Sequence, residues 1–407
     1  MDGQAGSQGS APVNASLGPV RVLFAVSPGI GHLFPTVPLA WALRATGHEV
    51  LVATAAEGVA AAVRAGLPVV DTAPATAIAA IFGTATGPPD ERARRMSERG
   101  QRIAEAGHEV HELLLRTFGE ISAVTAATTA AVARRWRPDL VVHSRLQGAG
   151  LAVASALGVP AVEHGFNFQS EHDLAARFLP HLAEAYQRVG TPLTLPAHRP
   201  VIHVAPPEMM LGPSGAALSM RYVPYNAGGE LPEWLWQPPE RPRVLITLGT
   251  VVPRLQGVGG LSRMLAAAPD VDADFVLALG GDSDLAPLGP LPPNVRPVGW
   301  VPLHHLLTGA AAVVHHGGSG TTMAALAAGV PQLVLPHGAD QFINAGQVAA
   351  LGLGVWCPPS EVDAATVAKL LADDAIARSA LAAATRMAKL PAPADLVSPL
   401  TRLSHPS

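Results

Sequence analysis

The chain has 407 residues, of which 49% are hydrophobic and 14% charged, with 40 glycines, 39 prolines and one cysteine. At roughly 150 residues per domain this length predicts two domains rather than one core, and the composition fits a globular protein with many sharp connections. A formal charge of −4 gives no electrostatic footprint for nucleic acid, a lone Cys357 excludes an internal disulfide or a multi-cysteine metal site, and no apolar run reaches the roughly 18 residues of a membrane span. A small-molecule partner and a reducing, cytoplasmic setting are the expectation.

Residues 1–18 are rich in Gly, Ser and Ala and lack the basic start and apolar core of a signal peptide, so they read as a disordered lead. Residues 20–26 form an apolar strand pattern, 27–32 a turn, 35–46 a helix that Gly47 ends, and 48–54 the next strand. This β-α-β opening continues through a strand at 67–70, a long helical region at 90–136, and strands at 138–143 and 158–163. Alternating elements of this kind indicate an α/β fold with a doubly wound parallel sheet.

Prolines 224, 232, 238, 239 and 242 mark a linker at 213–242, between a first domain at 19–212 and a second at 243–390. Second-sheet strands are expected at 243–248, 275–279, 295–298, 311–315 and 332–335. Residues 391–407 read as a tail that packs back on the first domain. The halves echo each other: Val141-Val142-His143 leads through a glycine turn and a small-residue helix to Gly158-Val159-Pro160, and Val313-Val314-His315 leads in the same way to Gly329-Val330-Pro331. Two such domains place their ligand turns at the carboxyl ends of their strands, across one cleft.

The most informative stretch is His315-His316-Gly317-Gly318-Ser319-Gly320-Thr321-Thr322. It joins an apolar strand to a small-residue helix. Glycines let backbone approach an anion, the first N–H groups of a helix lack internal partners, and the dipole adds partial positive charge there. It reads as a phosphate cradle. The acidic pairs at Asp270, Asp272, Asp274, Asp282 and Asp284 imitate a metal-binding Asp-x-Asp but read as solvated acids away from that cradle. Gly29-Ile30-Gly31 is half of a dinucleotide fingerprint without its acidic ribose partner.

Five motifs, in order, carry a resemblance over nearly the whole chain from about residue 20. They are Gly31-His32-Leu33-Phe34-Pro35, Arg221-Tyr222-Val223-Pro224-Tyr225, Thr247-Leu248-Gly249-Thr250, the His-rich cradle, and Pro336-His337-Gly338-Ala339-Asp340-Gln341. Together they resemble the GT-B nucleotide-sugar-dependent glycosyltransferases, and within them the actinobacterial enzymes that decorate antibiotics. The resemblance implies two Rossmann-like domains and inverting, metal-independent transfer. It implies no cofactor beyond the co-substrate, a nucleoside diphosphate sugar, together with a hydrophobic polyketide-like aglycone, and it allows a homodimer.

Residue by residue, the resemblance makes His32 the general base, a task imidazole suits because its ordinary pKa lies near neutrality. Similar enzymes orient that histidine with an Asp after the strand that here ends in Ser144; a hydroxyl stabilises an imidazolium less than a carboxylate does. Either another carboxylate serves, or the acceptor hydroxyl is acidic, as a phenol is. On the donor side it points His316, rather than His315, at the diphosphate. Gly318, Ser319, Gly320 and Thr321 add donors, Gly249 and Thr250 close the site, Trp300 with Val301 receives the base, and Asp340 and Gln341 hold sugar hydroxyls.

Where plant relatives carry a ribose-binding Glu this sequence has Ala324, which suits the 2-deoxyribose of a dTDP-sugar. The acceptor is expected against residues 81–87 including Phe82, Leu146, and 166–168 including Phe166, with His164 and Asn167 orienting its polar groups. Two other classes fit parts of the pattern: a nucleotide-sugar epimerase of the same fold and a non-catalytic accessory subunit.

Overall fold

The computed structural model describes residues 18–82, 109–170, 173–212, 217–250, 252–253, 257–280, 284–338 and 340–404. The expected lead at 1–17, the helical start at 90–108, the acceptor segment at 83–87 and the acidic residue Asp282 lie outside these.

Among the described residues thirteen strands form two parallel sheets. The first contains β1 (Arg21–Ala25), β2 (Glu49–Thr54), β3 (Val69–Asp71), β4 (Leu140–Ser144), β5 (Ala161–His164), β6 (Val201–His203) and β7 (Ala217–Ser219), in the order β3-β2-β1-β4-β5-β6-β7. The second contains β8 (Arg243–Thr247), β9 (Asp274–Ala278), β10 (Val295–Val298), β11 (Ala312–His315), β12 (Gln332–Val334) and β13 (Gly354–Trp356), in the order β10-β9-β8-β11-β12-β13. Every residue of β4 and β8 is buried, as expected of central strands covered by helices on both faces.

In each sheet the strand order reverses between two central neighbours, β1 with β4 and β8 with β11. A crevice opens beyond the carboxyl ends of strands at such a point, and ligands of open α/β sheets bind there. The turns after β1, β8 and β11 are those carrying His32, Gly249 and His316. Topology alone therefore brings the three motifs together.

The internal echo is structural. After β4 and after β11 comes a ten-residue helix, Gly148–Leu157 in one domain and Ser319–Ala328 in the other, and each ends on a left-handed glycine, Gly158 at φ 67° and Gly329 at φ 70°. A side chain there would meet the left-handed steric penalty that glycine avoids. Each β-α-β unit thus turns at the same place for the same reason.

Three departures from the sequence reading have physical causes. The helix expected at 35–46 is a sequence of Ile30–Leu33, a 3-10 turn Phe34–Thr36 and Val37–Ala45, because Pro35 and Pro38 each remove an N–H donor that a continuous helix needs. Strands β6, β7 and β13 have three residues each, too short for a periodic signal. The last strand of the first sheet, β7, falls inside the stretch 213–242 read as linker, so the chain leaves that sheet only after Ser219.

The end of the chain returns to the first domain. Leu396, Val397 and Leu400 are buried in one apolar cluster with Val37, Leu39 and Leu43 of the helix Val37–Ala45. Between the domains, Gln347 Nε2 donates to the Met209 carbonyl at 2.7 Å and Arg221 N–H to the Pro391 carbonyl at 2.9 Å. No helix among the described residues is long and apolar enough to cross a membrane.

Candidate active site

A cleft of about 930 Å³ lies between the sheets. From the first domain His32 faces it. The chain leaves β1, turns through Ser27 and Gly29, whose φ of 116° requires glycine, and starts the short helix that carries the imidazole. The His32 ring stands edge-on to Phe118 and Phe166, with centroids 5.3 Å away in both cases and interplanar angles of 66° and 80°. Burial lowers its pKa to about 4, since an apolar wall disfavours the charged form. The ring is therefore neutral at pH 7, as a proton acceptor must be. Its Nδ1 is buried with no hydrogen-bond partner among the described residues.

Ser144 ends β4 and is 1% exposed. Its hydroxyl accepts the Ser27 N–H at 3.0 Å. The residue expected to orient His32 thus fixes the turn that leads into it, and no hydrogen bond joins Ser144 to the imidazole Nδ1.

On the opposite wall the cradle is built as follows. The buried His315 accepts the Gly317 N–H on Nδ1 at 3.1 Å, which leaves the ring proton on Nε2 to donate to Gln332 Oε1 at 2.9 Å. His315 is thus a strut, and His316 takes the cleft position. Gly249 and Gly318 press against the His316 ring. A Cβ at 249 would lie 2.7 Å from its Cε1, and one at 318 would overlap Nε2. Burial first, then the neighbouring His315 and His337, lowers His316 to about 3. The ring is therefore neutral at pH 7 and brings no positive charge to the cleft.

The helix Ser319–Ala328 starts at the cleft. Its first internal bond runs from Thr322 N–H to Gly318 O at 3.0 Å, so the N–H groups of Ser319, Gly320 and Thr321 precede any intrahelical acceptor. The Ser319 hydroxyl donates to Asp340 Oδ2 at 2.5 Å. Asn344, fully buried, donates from Nδ2 to Gly317 O at 2.8 Å and to the Ser319 hydroxyl at 3.2 Å. The Gln341 carboxamide oxygen accepts the His337 N–H at 2.8 Å.

Among residues expected from sequence, His32, Phe82, Phe166, Gly249, Thr250, Trp300, Val301, His316, Gly318, Ser319, Gly320, Thr321, Asp340 and Gln341 line this cleft. Ser144, Leu146, His164 and Asn167 do not. Leu146, at φ 61°, packs on the core behind the sheet. His164 is 1% exposed with Nδ1 on the Gly165 carbonyl at 2.7 Å. Asn167 folds back to accept the Gln169 N–H at 3.0 Å, the local turn bond that short amides favour. Ala324 is 1% exposed in the core and does not line the cleft, so that position gives the choice of nucleotide no direct geometric support.

Sequence reasoning missed Phe118 and Ile121, on the helix Glu109–Trp136, as well as Ile78 and Glu57, all on the cleft, and it named Tyr222 within a motif without giving it a place there. Phe118 and Ile121 stand three apart, the spacing of any buried helix face, so only their place opposite His32 distinguishes them. Tyr222, in the inter-domain motif, reaches the Gly320 carbonyl with its hydroxyl at 3.5 Å. Asp272 and Asp274 pair with Arg241 at 3.0 and 3.4 Å, away from the cleft.

Two parallel-sheet domains that share a cleft beyond their strands' carboxyl ends match the glycosyltransferases of the GT-B fold. The chain belongs to the erythromycin biosynthesis protein CIII-like family: residues 41–249 match its N-terminal domain and 262–403 its C-terminal domain. It is 42% identical over 390 residues to the elloramycin glycosyltransferase ElmGT of Streptomyces olivaceus, covering 94% of this chain and 97% of that one. It resembles the crystal structure of the glycosyltransferase SnogD from Streptomyces nogalater with a TM-score of 0.81 and 38% identity, over 95% of this chain and 99% of that one. The Streptomyces sp. SF2575 glycosyltransferase SsfS6, complexed with thymidine diphosphate, follows with a TM-score of 0.76 and 31% identity, over 94% and 99% of the two chains.

Proposed function

We propose that this glycosyltransferase moves a deoxysugar from its dTDP carrier to a hydrophobic natural-product aglycone in antibiotic biosynthesis, with inversion at the anomeric carbon. The observation that carries this reading is the confrontation, in one cleft, of an uncapped helix N-terminus at Ser319–Thr321 and a neutral His32. His32 takes the proton of the acceptor hydroxyl as oxygen attacks the sugar. The bond from the anomeric carbon to phosphate breaks on the far side, and the diphosphate leaves into the cradle. Attack from the face opposite the leaving group inverts the centre.

Charge that grows on the leaving diphosphate meets donors already in place: the free N–H groups of the helix, the Thr321 hydroxyl and the neutral His316 ring. Such preorganised donors act most strongly where charge develops. In this reading no metal is required. The exposed Trp300 face, 45% accessible, stacks on the base, and Asp340 and Gln341 hold sugar hydroxyls. The thymine nucleotide is supported by the thymidine diphosphate in the similar SsfS6, and no longer by Ala324.

Calorimetric titration with dTDP and UDP tests the donor. At least tenfold tighter binding of dTDP is expected, and equal or tighter UDP binding would overturn the nucleotide assignment. Conversion of the sugar that requires an aglycone separates transfer from epimerisation of the donor alone.

A further inference from the structure

Resting on the reading that Trp300 receives the nucleotide base, we propose that Asn226, in the segment between the domains, is a positioning residue for the donor. It holds the loop 299–302 in place so that the Trp300 ring meets the base, and it does so by capping the helix into which that loop runs.

The helix Leu303–Leu307 begins directly after the loop, and its N-cap is Pro302. A proline side chain has no oxygen, so it cannot accept the N–H of the second helical residue as Ser, Thr, Asp or Asn does at that place. The acceptor comes instead from far along the chain. His304 N–H donates to Asn226 Oδ1 at 3.2 Å, across 78 residues. An orphan donor of the helix start is thus satisfied by a side chain of the inter-domain segment. Pro302 passes the constraint on to Trp300, two residues before it, because its ring fixes φ, here −55°.

The backbone of the same segment packs on the loop. A Cβ on Gly229 would stand 3.0 Å from Pro302 Cδ and 3.6 Å from Trp300 Cδ1. Between these two contacts Ala227 turns in the left-handed region at φ 58°, which a residue with a Cβ adopts at a steric cost. Cap and backbone contact together hold the loop, while the Trp300 ring lines the cleft beside Asn226.

The segment is anchored at its other contacts as well. Tyr225 stands edge-on to Phe34 at 5.0 Å and to Trp41 at 5.1 Å, rings carried on the turn and helix that follow His32. Tyr222 reaches the Gly320 carbonyl with its hydroxyl at 3.5 Å. Five consecutive residues, 222–226, therefore touch the first domain, the phosphate cradle and the helix behind the base loop. They set the spacing between the two ends at which a nucleotide is held.

A double-mutant cycle tests this, with dTDP binding read by calorimetry in the wild type, Asn226→Ala, Trp300→Ala and the double variant. Loss of the cap in Asn226→Ala should raise the dissociation constant at least about fivefold, and loss of stacking in Trp300→Ala should do the same. Because Asn226 acts through Trp300, the double variant should bind within about twofold of Trp300→Ala, a failure of additivity that a merely structural role would not produce. Asn226→Asp, which keeps the acceptor oxygen and loses the amide N–H groups, should bind within about twofold of wild type; should Asn226→Ala not fold, this variant alone decides. Additive losses in the double variant overturn the proposal, as do wild-type affinity in Asn226→Ala and an Asn226→Asp that binds at least about fivefold more weakly than wild type. Failure of the underlying reading looks different: Trp300→Ala then binds dTDP as tightly as wild type, or the wild type does not bind dTDP at all.

Discussion

The Ser319 hydroxyl donates to Asp340 Oδ2 at 2.5 Å, and Asn344 Nδ2 binds the same hydroxyl at 3.2 Å and the Gly317 carbonyl at 2.8 Å. Three side chains and one carbonyl thus lock the first turn of the cradle helix to the start of the helix Gln341–Ala350. The group proposed to hold the sugar and the group proposed to hold the phosphate are therefore one rigid unit.

Replacement of Asp340 by Asn removes a charged acceptor while keeping the shape. A hydrogen bond to a charged group is worth about 1.5–3 kcal/mol, so kcat/KM for the sugar donor should fall by about 10–100-fold. Binding of free dTDP, which lacks the sugar, should stay within about threefold. An equal loss for dTDP and for the intact donor, read by calorimetry and steady-state rates, would contradict the sugar assignment.

The glycines around His316 answer to space rather than to charge. A Gly318→Ala methyl would overlap Nε2 of that ring, and a Gly249→Ala methyl would stand 2.7 Å from its Cε1 at a backbone φ of 66°. Each substitution should raise the dTDP dissociation constant by more than about tenfold, since each tenfold corresponds to only about 1.4 kcal/mol. Wild-type affinity in Gly318→Ala would show that His316 does not face the diphosphate.

His32→Ala separates chemistry from binding. Loss of a positioned general base costs about 10²–10⁴-fold in rate, whereas His32 and the cradle lie on opposite walls, so dTDP affinity should change by less than about twofold. Full transfer by the variant would exclude the base assignment.

Acid should destabilise the fold through buried imidazoles. His32, His164 and His315 are lowered from 6.5 to about 4, and His316 to about 3, burial being the largest cause in each. Between pH 6.5 and 4 the unfolded chain therefore binds protons that the folded chain refuses, and stability falls as pH falls through that window. Above 6.5 these groups contribute no slope. Melting temperatures measured from pH 8 to 4.5 should be level down to about 6.5 and then decline; a level profile to pH 4.5 would show that the imidazoles are already protonated in the folded protein.

Much of this architecture is legible in the chain because central parallel strands are apolar on both faces, as Val141-Val142 and Val313-Val314 are, and because the cradle needs glycines that mark themselves. The choice of His316 over His315 rests on the resemblance; in the structure His315 ends β11 and accepts the Gly317 N–H, while His316 lines the cleft. The acceptor wall was harder. Leu146 and Asn167 follow strands β4 and β5, and His164 ends β5, as expected ligands would, yet the direction of a residue at such a place depends on local turns such as the Asn167 to Gln169 bond. Phe118 and Ile121 hid in a helix whose cleft side looks like any core-facing side. The role of Ser144 depended on a partner 117 residues away, the Ser27 N–H, which no local pattern reveals.

The most direct test is product analysis of a reaction containing the protein, a dTDP-deoxysugar and an aromatic aglycone. The account predicts one equivalent of dTDP released per glycoside, a product mass equal to aglycone plus sugar minus water, and an anomeric configuration opposite to that of the donor by proton NMR. Donor consumed at the same rate without aglycone, or a glycoside with retained configuration, would contradict it.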